Sequence, residues 1–265
     1  MTVQDRVIDH LVEASDMFAS DRIVGIFLQG SQNYGLELPT SDVDTKLIVT
    51  PSFEEIALNK KPRSTTHIRA NDEHTDIKDI RLYMDTFKKQ NLNFLEILFT
   101  PYKSVNVMYE DQWDRLVARR EDIARMNPYR AVKSMKGIAM EKWHAMEHEY
   151  PSKVDVLAKF GYDPKQLHHL LRVEDYIERY IAGEPYADCL RPSDPGYLLD
   201  VKIGVMDLAT ARKVGQAAID HVIDMADEYC EKVEPHEDPD CVELLRDVQI
   251  EIMKRSIKKE IAHGI

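Results

Sequence analysis

LQGSQNYGLELPTSDVDTKLIV, Leu28 to Val49, sets two glycines, a serine and two aspartates between two apolar runs. IVGIFLQG, Ile23 to Gly30, is an unbroken apolar stretch ending in glycine, the pattern of a buried strand that stops at a turn. VDTKLIVT, Val43 to Thr50, reads as a second strand stopped by Pro51. Residues two apart on a strand face one side, about 6.5 Å apart at their α-carbons, so the pattern predicts that Asp42 and Asp44 project together. Like charges so placed call for a cation, and a pair of hard divalent ions about 3.5 to 4 Å apart suits the spacing. Magnesium is the leading ion, because it takes a few carboxylates and leaves its other positions to water and phosphate; manganese is its substitute. The preceding turn then gains a use. Gly30 lets backbone approach a triphosphate, and the amides after it can donate to phosphate oxygens together with the Ser31 hydroxyl.

Outward from this stretch the chain alternates elements. DRVIDHLVEASDMFAS, residues 5 to 20, has helical spacing in Val7, Ile8, Leu11, Val12 and Phe18, and SFEEIALNK opens a helix with Ser52 as N-cap and Glu55 three residues on. TTHIRANDEHTDIKDIRLYM reads as two short strands joined at the ANDE turn, and helical spacing returns in DTFKKQNLNFLEILF. Beyond Pro101 strands give out, and helical periods run over residues 111–124, 128–149, 164–182, 207–232 and 240–262. The expected class is α+β: a small mixed sheet in residues 1–104, then an all-helical domain in 105–265. Pro128 marks a helix start, Asp163 caps a helix that Gly183 closes, and GEPYADCLRPSDPGY is the longest expected loop.

Bulk composition narrows the chemistry. The 265 residues are 43% hydrophobic, enough for an ordinary core, and no run approaches the roughly 20 apolar residues of a membrane helix. The start MTVQDRVIDH lacks the apolar centre of a signal peptide, so a cytoplasmic location is expected. Cys189, Cys230 and Cys241 are widely spaced, which suggests neither disulfides nor a zinc site. A formal charge of −12 opposes general DNA binding and attraction to anionic membranes.

An isolated Ser-Asp-x-Asp is usually a plain turn, but here seven positions combine as G-S-x2-Y-G-x5-S-D-x-D: Gly30, Ser31, Tyr34, Gly35, Ser41, Asp42 and Asp44. At about one chance in fifteen per position, such a match arises roughly once in a million chains. The pattern resembles the DNA polymerase β-like nucleotidyltransferase superfamily, and its GSxxYG form is similar to a group of predicted nucleotidyltransferases. DIRLYMDTFKKQNLNFLEILFTP and GYDPKQLHHLLRV are similar to later segments of that group, so the resemblance spans most of residues 23–200. It implies transfer of a nucleoside monophosphate from an NTP, ATP first among them, to an acceptor hydroxyl, with two magnesium ions and release of pyrophosphate. The acceptor is left open among an RNA end, a protein hydroxyl and a small molecule. The competing reading is a catalytically silent, antitoxin-like module that keeps the fold to bind a nucleotide or a partner.

The resemblance further implies a third acid on a neighbouring strand. HTDIKDIRLY supplies Asp76 and Asp79, which lie three apart and so face opposite sides of a strand; Asp76 matches the expected place better, with Asp79 the alternative. Asp42, Asp44 and Asp76 are then the catalytic and metal-binding set, with Asp76 activating the acceptor hydroxyl. In DPKQLHHLLR, Lys165, His169 and Arg172 share one helix face. Alone that face reads as a solvated stripe; with the resemblance it joins Gly30, Ser31 and Ser41 as nucleotide-binding, its helical domain closing over the nucleotide and acceptor. His168 points elsewhere and reads as structural.

Overall fold

The computed structural model describes residues 2–262. The chain forms two compact units, one holding residues up to Asn33, Glu37–Met126 and Glu237 onward, the other Tyr34–Leu36 and Asn127–His236. One short strand, Lys103–Val105, lies beyond Pro101, where the sequence pattern ends its strands.

In the first unit α1 (Val3–Met17) begins at Thr2, whose side chain and that of Asp5 cap each other's backbone. β1 (Ile23–Gln29) and β2 (Asp44–Val49) pair antiparallel. α2 (Phe53–Ala57) opens with the capping box of Ser52 and Glu55 expected from the sequence. β3 (Ser64–Ile68) and β4 (His74–Asp79) form a hairpin, and β4 runs parallel to β2. α3 (Ile80–Lys88) and α4 (Leu92–Leu95) precede β5 (Lys103–Val105), followed by α5 (Glu110–Ala118) and α6 (Arg120–Ala124). The sheet is mixed, in the order β3-β4-β2-β1-β5, and the fold is α+β.

Strand alternation gives the sheet two different faces. Ile26, Leu28, Leu47, Val49 and Ile77 bury against Val7, Ala14 and Phe18 of the α1 segment. On the other face the Phe27 ring meets the buried Trp113 of α5 at 4.3 Å between centroids. RLYM is helix rather than strand, because Asp79 leaves β4 as the N-cap of α3, accepting from the Arg81 amide. The helix expected through DTFKKQNLNFLEILF breaks at Gln90, whose φ is 54°, and Asn91 caps a fresh start at α4.

The second unit contains α7 (Pro128–Met146), α8 (Val154–Phe160), α9 (Pro164–Ile181), α10 (Tyr186–Cys189), α11 (Pro195–Lys202) and α12 (Leu208–Lys232). α7, α9 and α12 pack on one another. The expected loop from Gly183 to Tyr197 holds α10 and the start of α11, because Asp194 caps the Tyr197 amide and Pro195 fits the first helical position. The chain then returns to the first unit as α13 (Pro239–Ala262), where the Ser256 and Thr50 hydroxyls meet at 2.6 Å. Among the described residues no helix is long and apolar enough to cross a membrane.

Candidate active site on the sheet

The sheet register assembles the acidic end of the first unit. Gln29 pairs with Asp44, so the turn at Gly30 and Ser31 leaves β1 at the end where β2 begins. Gly30 has a φ of 99°, a conformation that favours glycine, and its carbonyl accepts from the Asn33 amide at 3.0 Å. Lys46 pairs with Asp76 across the parallel β2 and β4, which puts Asp44, Lys46, Asp76 and Lys78 on one face. Asp44 Oδ1 accepts from the His74 amide at 2.9 Å, and Asp76 Oδ1 accepts from the Thr66 hydroxyl at 2.7 Å. Asp79 lies on the opposite face, where both its oxygens engage Arg81 at 2.9 and 2.6 Å.

Asp42 departs from the strand picture. β2 starts at Asp44, and Asp42 sits before it, exposed and outside regular secondary structure. Its carbonyl accepts from Gln32 Nε2 at 2.7 Å, so the glycine turn and the acid segment are tied together directly. Ser41 closes the loop between them, accepting from the Leu38 amide at 2.8 Å. Among the described residues no group of three or more His, Cys, Asp or Glu side chains is gathered to hold a metal ion. A closed three-carboxylate cage is absent from these residues. The exposed Asp42 and half-buried Asp44 still suit a magnesium ion that keeps most of its water and phosphate shell.

The sequence pattern gives no sign of Lys46, a lysine within an apolar strand. It is nearly fully buried, its Nζ 3.7 Å from Asp76 Oδ2 and 4.4 Å from the centre of the Phe94 ring. Burial brings its pKa down to about 8, while Asp76 and Asp44 work against that, so the group remains an ammonium at neutral pH. Lys78 Nζ stands 4.9 Å from the same ring centre. Tyr83, buried edge-on to Phe94, has its phenol pushed well above the ordinary range by burial and then by the Asp76 charge.

A second polar group backs the acids from the α1 side. Buried Glu73 accepts the Val43 amide at Oε1 (2.9 Å), which holds the residue between Asp42 and Asp44. Its Oε2 meets His10 Nε2 at 3.0 Å, and His10 Nδ1 reaches the Thr45 and Thr75 hydroxyls at 2.9 and 3.1 Å. Arg6 and Arg69 both pair with Glu73. Burial, followed by the charge of Arg69, lowers the His10 pKa to about 4, so it is a neutral ring donating to Glu73. A lone histidine in an apolar helix stripe and a glutamate inside a turn gave little sign of this.

In the second unit Lys165 is exposed near the start of α9, its amide donating to Asp163 Oδ1 at 2.9 Å. His169 is half-buried, and burial with neighbouring His168, Arg172, Lys165 and Lys142 holds its pKa well below normal. Arg172 is buried with its guanidinium 3.6 Å from the centre of the Tyr34 ring, which links this helix to the tyrosine of the GSxxYG pattern. His168 donates from Nδ1 to the Leu198 carbonyl at 2.8 Å, the structural part expected of it.

No family model matches the chain, and no curated protein matches it. Among solved structures, the chain is similar to a nucleotidyltransferase-like protein from Exiguobacterium sibiricum. The match spans 86% of this chain and 77% of that one at 9% identity, with a TM-score of 0.30. A likeness of this degree assigns no role to any residue.

Proposed function

We propose that this chain transfers a nucleoside monophosphate from an NTP, ATP first among them, to an acceptor hydroxyl with release of pyrophosphate. One observation carries the reading: Asp44 and Asp76 share a sheet face at the end where β1 gives way to the Gly30 and Ser31 turn. The turn offers its amides and the Ser31 hydroxyl to the triphosphate. Asp42 and Asp44 would hold magnesium, which when bound neutralises triphosphate charge and polarises the α-phosphoryl group. Asp76 takes the proton of the acceptor hydroxyl, and the acceptor oxygen attacks the α-phosphorus in line. The bond from that phosphorus to the bridging oxygen breaks, and pyrophosphate carries the electron pair away. Within the second unit, α9 carries the exposed Lys165 and the neutral His169 ring, and Arg172 packs on the Tyr34 ring of the motif.

A second reading, nucleotide binding without transfer, draws support from the absence of a three-acid group among the described residues. One experiment separates them. The protein, magnesium and each α-labelled NTP are incubated with three kinds of acceptor: the protein itself, structured RNAs and small alcohols. The enzyme reading expects label on one acceptor, falling by about 100-fold or more in Asp42→Asn and Asp44→Asn. Magnesium-dependent nucleotide binding with no labelled product supports the silent reading, and absence of both sinks each.

A further inference from the structure

A buried ammonium stands where the acidic face would otherwise need a metal. Lys46 is 3% exposed, and its nearest carboxylate is that of Asp76, which remains partly open at 31%. The Phe94 ring covers the ammonium from one side and receives Lys78 as well, an aromatic surface between two cations. The face as a whole carries two carboxylates, Asp44 and Asp76, and two ammoniums, Lys46 and Lys78. The chain therefore balances the face by itself. A divalent ion seated on Asp76 would meet the Lys46 ammonium across one carboxylate, a repulsion that a partly desolvated site screens poorly. Asp42 stands outside this arrangement, exposed and ahead of the strand.

We propose that Lys46 is the resident counter-ion of Asp76, occupying the place of a second metal ion, so that the site takes a single divalent cation at Asp42 and Asp44. The proposal rests on the nucleotidyl-transfer reading and deepens it. Asp76 is left to accept a proton and to hold its orientation against Lys46, rather than to ligate metal. Lys46 is accordingly a positioning residue, acting through Asp76.

The test counts bound manganese(II) by electron paramagnetic resonance in the full chain, with an ATP analogue whose α–β bridge is a methylene. Wild type is expected to bind one ion per chain with the analogue, and Asp76→Asn to bind one with unchanged affinity. Asp44→Asn should lose that ion. Lys46→Met should gain a second ion, and Lys46→Arg, which keeps the charge, should return the count to one. Two ions in wild type, or loss of manganese affinity in Asp76→Asn, overturns this proposal while leaving nucleotidyl transfer standing. The Asp76→Asn result decides the matter even where Lys46→Met fails to fold. Failure of wild type to bind either analogue or manganese overturns the functional reading and this proposal with it.

Discussion

Glu73 shows how much of this site depends on a residue that touches none of the expected chemistry. Its carboxylate is buried and holds three partners besides the Val43 amide: His10, Arg6 and Arg69. Removing one member of a buried charged group leaves the others uncompensated, which costs more than the pair contributes when intact. Glu73→Gln is therefore expected to lower unfolding stability by about 3 kcal/mol, read from the urea midpoint at pH 7.5. A loss below about 1 kcal/mol would mean that water reaches the site, and would contradict the buttressing role. The paired carboxylates were legible because their spacing and the glycine turn are local. Glu73, His10 and Lys46 acquire their partners only through strand register and the packing of α1, which local spacing does not encode.

The elements sort along the same line. The capping box at Ser52 and Glu55 and the starts at Pro128 and Pro164 are set by residues within one turn, and the structure has them as read. The extent of α3 was not legible, because it depends on Asp79 being free of the acidic face and available as a cap. The close approach of α12 to α7 was equally hidden. A β-carbon on Gly215 would stand 2.6 Å from Trp143 Cζ3 and 3.2 Å from Leu167 Cδ1. Gly215→Ala gains about 1 kcal/mol of helix propensity, but overpacking against a ring costs about 1 to 3 kcal/mol. The overpacking wins, and the variant should be less stable by about 1 kcal/mol in urea unfolding. A variant more stable than wild type would show that the Trp143 ring yields freely.

Across the whole molecule, neutral histidines held by burial tie stability to pH, His10 in one unit and His168 with its neighbour His169 in the other. His10 in the sheet unit and His168 in the helical unit both have pKa values lowered to about 4, in each case chiefly by burial. Unfolded histidines bind protons near pH 6.5, so the unfolded chain takes up more protons than the folded one between those values. Stability is then full above about pH 6.5 and falls as pH drops toward about 4, by at most about 3 kcal/mol for each histidine. Both pKa values fall to about the same level, so each histidine should contribute a similar loss. Thermal melts at pH 7.5 and 5.0 read this directly, and His168→Asn should flatten the dependence; equal melting at both pH values contradicts it. The two-unit plan itself was only partly legible, since α13 returns to the sheet from the far end of the sequence, where Arg115 meets Glu251 at 2.8 Å.

The proposed nucleotidyl transfer depends first on Asp44, beside the Gly30 and Ser31 turn. The most direct measurement is pyrophosphate release from ATP with magnesium and the acceptor that takes label, comparing wild type with Asp44→Asn. Release is expected to be matched one for one by labelled acceptor, and to fall by about 100-fold or more in the variant with its thermal melt unchanged. Equal rates in the two proteins would contradict it.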